Sequence, residues 1–162
     1  MKLEYCLQCA APLKKLNDTD YICQNGHQFW NNPMATVGVV MVRDGQVLVS
    51  KRAFVPNKGQ YDLPGGFLQY GEAVFDGARR EILEETGIDL TGATMRVVAA
   101  YTGFYNENES VCDIIVYVQN WQGEPVAADD SEALEWQPFD FITSEQFAPD
   151  YTGLPEIIRN IV

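Results

Sequence analysis

Residues 36–42 and 47–51 are short apolar runs rich in valine, with Asp44-Gly45 between them. Runs of this length around a D-G turn predict the two strands of a β-hairpin. Residues 95–104 and 111–121 form a second pair of strand-like runs, separated by the polar stretch 105–110, and 134–139 predicts one more strand. Between the pairs, 72–86 changes to helical spacing and stops at Gly87. Residues 54–60 carry Pro56 and Gly59 and read as loop, and Pro64-Gly65-Gly66 breaks 61–70. Short helices are expected at 143–147 and 155–161, the second with Pro155 in its first turn. Strands and helices mix without strict alternation, which predicts an α/β (mixed α+β) fold with a mixed sheet between helices.

The 72–86 helix carries the first hint of chemistry. At about 100° per residue, Glu81, Glu84 and Glu85 share one face within a single turn, with Gly77 beside them. Val74, Phe75, Ala78 and Ile82 form the adjoining apolar stripe. A solvated face paired through Arg80 and Glu84 explains part of the pattern. It leaves three like charges in one turn, which repel unless something positive lies among them. A hard cation such as Mg²⁺ or Mn²⁺, which prefers carboxylate oxygens, is the other reading.

A second pattern lies in the first 30 residues. Cys6 and Cys9 form a C-x2-C knuckle, Cys23 follows after thirteen intervening residues, and His27, the single histidine, after three more. Three thiolates and an imidazole at this spacing suit a tetrahedral Zn²⁺. All four ligands are used, so such a site is structural, and it would hold together a segment too short for its own core. Asn31-Asn32-Pro33 marks a boundary, giving a small zinc ribbon over 1–32 and a second domain over 33–162. Cys112 stands apart in an apolar run and reads as a buried strand thiol.

Composition narrows the classes. The 162 residues are 46% hydrophobic and include 8 Phe, 8 Tyr and 3 Trp, which excludes a disordered chain. No apolar run approaches the roughly 20 residues that cross a bilayer. The first residues lack the apolar core of a signal peptide, so a cytoplasmic location is expected. The net charge is −12, and residues 107–162 alone carry −11. That surface repels nucleic acid and anionic membranes, and a polyanionic substrate needs cations to approach. Tyr5, Tyr21, Phe29 and Trp30 could stack on bases, but residues 1–35 are neutral, and packing is the expected role of these rings.

The stretch 66–88 resembles a complete Nudix box. Gly66 is followed after five residues by Glu72, and after seven more by Arg80-Glu81; Ile82, Glu84-Glu85, Gly87 and Ile88 complete it. The resemblance covers most of 33–162 and implies an α/β/α sandwich with a mixed sheet. It implies hydrolysis of a nucleoside diphosphate linked to another moiety (ADP-ribose, NADH or a dinucleoside polyphosphate) with catalytic Mg²⁺ or Mn²⁺. Glu81, Glu84 and Glu85 match the metal carboxylates, Arg80 the arginine that orients a glutamate, and Glu72 the first box glutamate. Gly65 matches a position whose carbonyl can coordinate a cation. Relatives often add a late acidic residue, for which Glu132 is preferred here over Asp130. Lys51, Arg52 and Lys58 are the basic cluster available to phosphates, and Phe67 and Tyr105 are further substrate-binding candidates. The N-terminal half resembles the zinc-ribbon subset that includes NADH pyrophosphatases, although 99–106 lacks their proline-rich segment. The expected partner is a nucleotide-type small molecule, with a homodimer also open. The alternative is a non-catalytic, nucleotide-binding regulatory Nudix protein, against which stands the full set of box carboxylates.

Overall fold

The computed structural model describes residues 4–107, 109–129 and 131–162. Three short strands, β1 (Leu13–Lys15), β2 (Asp20–Cys23) and β3 (Gln28–Trp30), form an antiparallel sheet. Strands this short carry little period-2 signal, and none was expected from the sequence. Cys6, Ala11 and Cys23 form their small buried cluster, with Leu13 and Phe29 against it.

The remaining strands build one mixed sheet. They are β4 (Met34–Arg43), β5 (Gln46–Arg52), β6 (Tyr61–Asp62), β7 (Gly65–Phe67), β8 (Thr94–Asn106), β9 (Glu109–Gln119) and β10 (Ser131–Pro138). Their order is β10-β5-β4-β9-β8, with β6 on β5 and β7 on β4. The expected hairpin forms, but β4 and β5 pair only at Val42–Val47 and Arg43–Gln46, beside the turn. Beyond that the strands splay. β7 then takes the freed edge of β4, Thr36 opposite Phe67 and Gly38 opposite Gly65, while β6 pairs with β5. On its other side β4 runs parallel to β9 from Met34 to Met41.

Helix α1 (Val74–Thr86) covers one face of this sheet and α2 (Leu154–Ile161) the other. Alternation along β4 sends Val37, Val39 and Met41 toward α1, where Ala78 and Ile82 meet them. Val40, with Ile115 from β9, faces Leu154 and Ile158 of α2. A strand buried on both faces reads as an unbroken apolar run, which is why 36–42 looks as it does. No helix among the described residues is long and apolar enough to cross a membrane.

Three local expectations need correction. The helix expected at 143–147 is replaced by a 3-10 turn over Phe139–Thr143. Pro138 precedes that turn, and Phe139 and Ile142 are both buried, a three-residue spacing that suits the tighter helix. Phe75 is exposed rather than core-facing, and Cys112 in β9 is only half-buried. Beyond β9, Trp121 stacks on Trp136 with centroids 6.0 Å apart, and Arg43 lies over both rings at 4.7 and 5.0 Å.

The helix α1 begins later than expected because Glu72 has other work. Its Oε2 accepts from the Gln69 N–H at 2.8 Å, and its two oxygens take Arg80 Nε and Nη2 at 2.8 and 2.9 Å. Nη2 also donates to the Phe67 carbonyl at 3.1 Å, and Nη1 to Glu81 and Glu84 at 2.7 and 3.1 Å. One guanidinium thus ties β7, the 68–73 loop and the helix. At the far end Gly87 adopts the left-handed conformation and donates to the Leu83 carbonyl.

Ile82 is fully buried between α1 and the sheet, so Ile82→Ala should lose about 2–5 kcal/mol in urea unfolding. A loss below about 1 kcal/mol would show that the helix packs elsewhere. Arg80 holds Glu72 down to about 2, against an ordinary value of 4.5. A carboxylate depressed on folding stabilises fully above its unfolded value, and that stability fades as pH falls toward 2. From pH 6 to pH 2.5 the wild-type Tm should therefore fall more steeply than that of Glu72→Gln; parallel curves would contradict the lock.

Candidate active site

The two glycines ahead of the loop allow a close approach that no other residue permits. Gly65 has φ of 149°, and a Cβ there would lie 2.0 Å from the Val37 carbonyl oxygen. At Gly66 a Cβ would sit 2.6 Å from Glu81 Oε1, so the carboxylate rests directly against the β7 backbone. Glu85 reaches the same strand and accepts from the Gly65 N–H at 3.1 Å. The helix therefore presents two carboxylates to one glycine pair.

The three box glutamates are not equivalent. Glu85 is 9% exposed, the Glu81 side chain 13% and that of Glu84 46%. Burial raises the pKa of Glu81, and the Arg80 hydrogen bond opposes it. The shared face expected from helical spacing is present, but Arg80 draws Glu81 and Glu84 while Gly65 draws Glu85. They do not collapse into a single cluster of ligands.

Such a cluster does occur in the N-terminal sheet. Ligand atoms of Cys6, Cys9, Cys23 and His27 all lie within 4.8 Å of one another. Cys9 Sγ is 3.8 Å from Cys23 Sγ, and Cys6 Sγ is 3.3 Å from His27 Nδ1. Two thiolates at about 2.3 Å from a tetrahedral zinc would stand about 3.8 Å apart, so the spacing fits that ion. The Ala11 N–H, and then Asn25 Nδ2 at 3.3 Å, bring the Cys9 thiol down to about 6, toward the thiolate a metal needs.

Where β4 and β5 splay, a cavity of about 440 Å³ opens on the face away from α1. Gly65, Gly66 and Glu85 stand at one end of its lining, so it adjoins the box. Phe67 and Tyr105 both line it and meet edge to face with centroids 5.1 Å apart. Arg52 also reaches it, with its guanidinium 5.8 Å from the Tyr105 centroid. The other expected basic residues do not. Lys51 pairs with Glu132 at 3.5 Å outside the lining, and Lys58 is exposed in the β5–β6 loop. Glu132 is thus drawn to a lysine rather than to the box, and Asp130 lies outside the described residues.

The cavity also gathers polar groups that the sequence reading passed over. Asp113 of β9 accepts from Thr36 Oγ1 and, at 2.8 Å, from the Tyr151 hydroxyl. Burial keeps that tyrosine firmly protonated, and so a donor. Asp62 accepts from the Leu63 N–H at 2.8 Å and from Arg52 Nη1 at 3.0 Å. Burial lifts Asp62 up to about 7 with help from Asp113, against the pull of Arg52. A signal was present: Asp113 is the lone charge in the apolar stretch 111–118, and Asp62 directly precedes Leu63-Pro64.

Comparison with known proteins agrees with this geometry. The NUDIX domain matches residues 32–161, which leaves the Cys/His segment outside the matched region. The chain is 30% identical over 130 residues to an ADP-ribose pyrophosphatase of Methanocaldococcus jannaschii, covering 77% of this chain and 72% of that protein. It is 33% identical over 125 residues to an oxidized purine nucleoside triphosphate hydrolase of Danio rerio, covering 75% and 77%. A NUDIX hydrolase crystal structure from Nitrosomonas europaea superposes with a TM-score of 0.70 at 23% identity, covering 96% of this chain and 89% of that one. With the domain matched over most of its length and the glycine–glutamate loop and helix in place, the chain belongs to the Nudix family of hydrolases, which act on phosphorus-containing anhydrides.

Proposed function

We propose that the protein is a metal-dependent pyrophosphohydrolase that cleaves a phosphoanhydride bond in a nucleoside diphosphate linked to another moiety. The observation that carries this reading is the contact of Glu81 and Glu85 with the Gly65-Gly66 backbone at the mouth of the cavity. A Cβ would fill that cradle, and its donors are all hard oxygens, which suit Mg²⁺ or Mn²⁺. Glu81 and Glu85, which already meet the Gly65-Gly66 backbone, would hold the ion with the Gly65 carbonyl, and Glu84 would join them on leaving Arg80. When bound, the ion supplies charge neutralisation at the phosphoanhydride and acidifies the attacking water. Arg80 orients Glu81 and restrains Glu84. Arg52 meets the substrate inside the cavity. Glu132, paired with Lys51 at 3.5 Å, is given no role in this reading.

Cys6, Cys9, Cys23 and His27 are assigned to a structural Zn²⁺. None of the cysteines is in a disulfide, which suits a reducing compartment such as the cytoplasm.

Assayed with Mg²⁺ on nucleoside diphosphate sugars, nucleoside triphosphates and dinucleotides, with phosphate release after phosphatase coupling, the protein should turn over at least one class. Glu85→Gln should lower kcat by at least about 10²-fold, the scale of losing one strong transition-state stabiliser. Near-normal kcat at saturating Mg²⁺ would remove Glu85 from the site. Metal analysis should find about one Zn²⁺ per chain, lost in Cys9→Ser and His27→Ala. Full zinc content after replacing both Cys6 and Cys9 by serine would overturn that assignment.

A further inference from the structure

The cavity carries more polarity than phosphoanhydride cleavage uses. Asp62 and Asp113 come from β6 and β9 and are outside the box, yet both line it. The hydrogen bonds recorded for them all arrive from donors: Thr36, Tyr151, Arg52 and the Leu63 N–H. An ionised carboxylate has about four lone-pair sites, so each retains capacity to accept from a ligand. The walls are of another character. Phe104 is 78% exposed, Phe54 and Val55 are also exposed, and all three border the same cavity as the Phe67–Tyr105 pair. Exposed rings around one cleft suit a planar, stacking ligand. Arg52 within the same cavity already offsets one of the two charges, which disfavours a free cation.

The spacing separates base from ribose. Gly65 on β7 and Asp113 on β9 flank β4, with Thr36 level with both Phe67 and Asp113. Gly65 is level with Gly38, two residues further along, so two strand spacings and that offset place them about 12 Å apart. A nucleotide whose phosphates lie at Gly65 and Glu85 reaches that far with the outer edge of its base, not with its sugar.

We propose that Asp113 and Asp62 are specificity-determining residues that read the substrate's base and select a guanine-type edge carrying adjacent N–H donors. Guanine offers N1–H and the 2-amino group to carboxylate acceptors. Adenine offers one amino group beside an acceptor nitrogen, which faces a carboxylate lone pair unfavourably. Hypoxanthine keeps N1–H but loses the amino donor. This rests on the hydrolase reading only in placing the phosphates at the box.

The test uses the full chain at pH 8, above the value of about 7 for Asp62, where both acids are ionised. Calorimetric binding of GMP, IMP and AMP requires neither turnover nor a variant. GMP should bind about 10–100-fold more tightly than AMP, the range of one bidentate base contact, with IMP between. The kcat/KM values for GTP, ITP and ATP with Mg²⁺ should follow the same order, mainly through KM. Asp113→Asn and, separately, Asp62→Asn replace an acceptor oxygen with a donor and should bring the guanine and adenine values within about threefold. Binding of the three monophosphates within threefold of one another by the wild-type protein overturns the proposal. So does an Asp113→Asn or Asp62→Asn protein that loses activity on all bases alike with its KM ratios unchanged. Base-selective binding without hydrolysis of any nucleotide would sink the hydrolase reading and leave this one standing; hydrolysis without base preference would do the reverse.

Discussion

Repulsion among carboxylates sets the terms for the whole box, and the Arg80 guanidinium is what relieves it. Glu72 gives it both oxygens, Glu81 and Glu84 one each, and the Phe67 carbonyl closes the set. Exposed pairs of opposite charge contribute little to stability, but a bidentate arginine in a network of several charges fixes geometry more firmly. Were that charge removed, Glu81 would lie half-desolvated against glycine backbone with like charges beside it, and the loop would lose its bond to the helix. Arg80 thus adds a tie between the helix and β7, which β4 and Glu85 also hold at the edge of the cavity.

The cavity has its own cause, which lies in the sheet. A tight hairpin normally keeps its strands paired along their length. Here β4 and β5 part after two residue pairs, because β4 is engaged by β9 on one side and by β7 on the other. The space between carries Asp62 and Arg52 on one wall and Thr36 and Asp113 on the other.

Much of this was legible along the chain. The valine runs, the D-G turn, the helix and its Gly87 stop all mark elements that form. The placing of glutamates around Arg80 could be read from helical spacing, which is a local property. What the sequence reading passed over was set by distant contacts. The strands of the N-terminal sheet are too short to show a period. The turn at Phe139–Thr143 is chosen by burial of Phe139 and Ile142 rather than by propensity. Lys51 and Arg52 are adjacent in sequence, yet alternation along β5 sends one to Glu132 and the other into the cavity. Asp62 and Asp113 are 51 positions apart, and only the pairing of the strands brings them to the same cavity.

The two faces of β4 have separate employment. Val37, Val39 and Met41 pack under the helix that carries the glutamates, while Thr36 faces the cavity wall at Asp113. Away from Glu85, which borders the cavity, the two sets share no partners, and such groups tend to act additively when altered. Descendants of such a chain can therefore exchange residues on the cavity face and drift toward new ligands, while the glutamate helix behind the sheet is inherited unchanged.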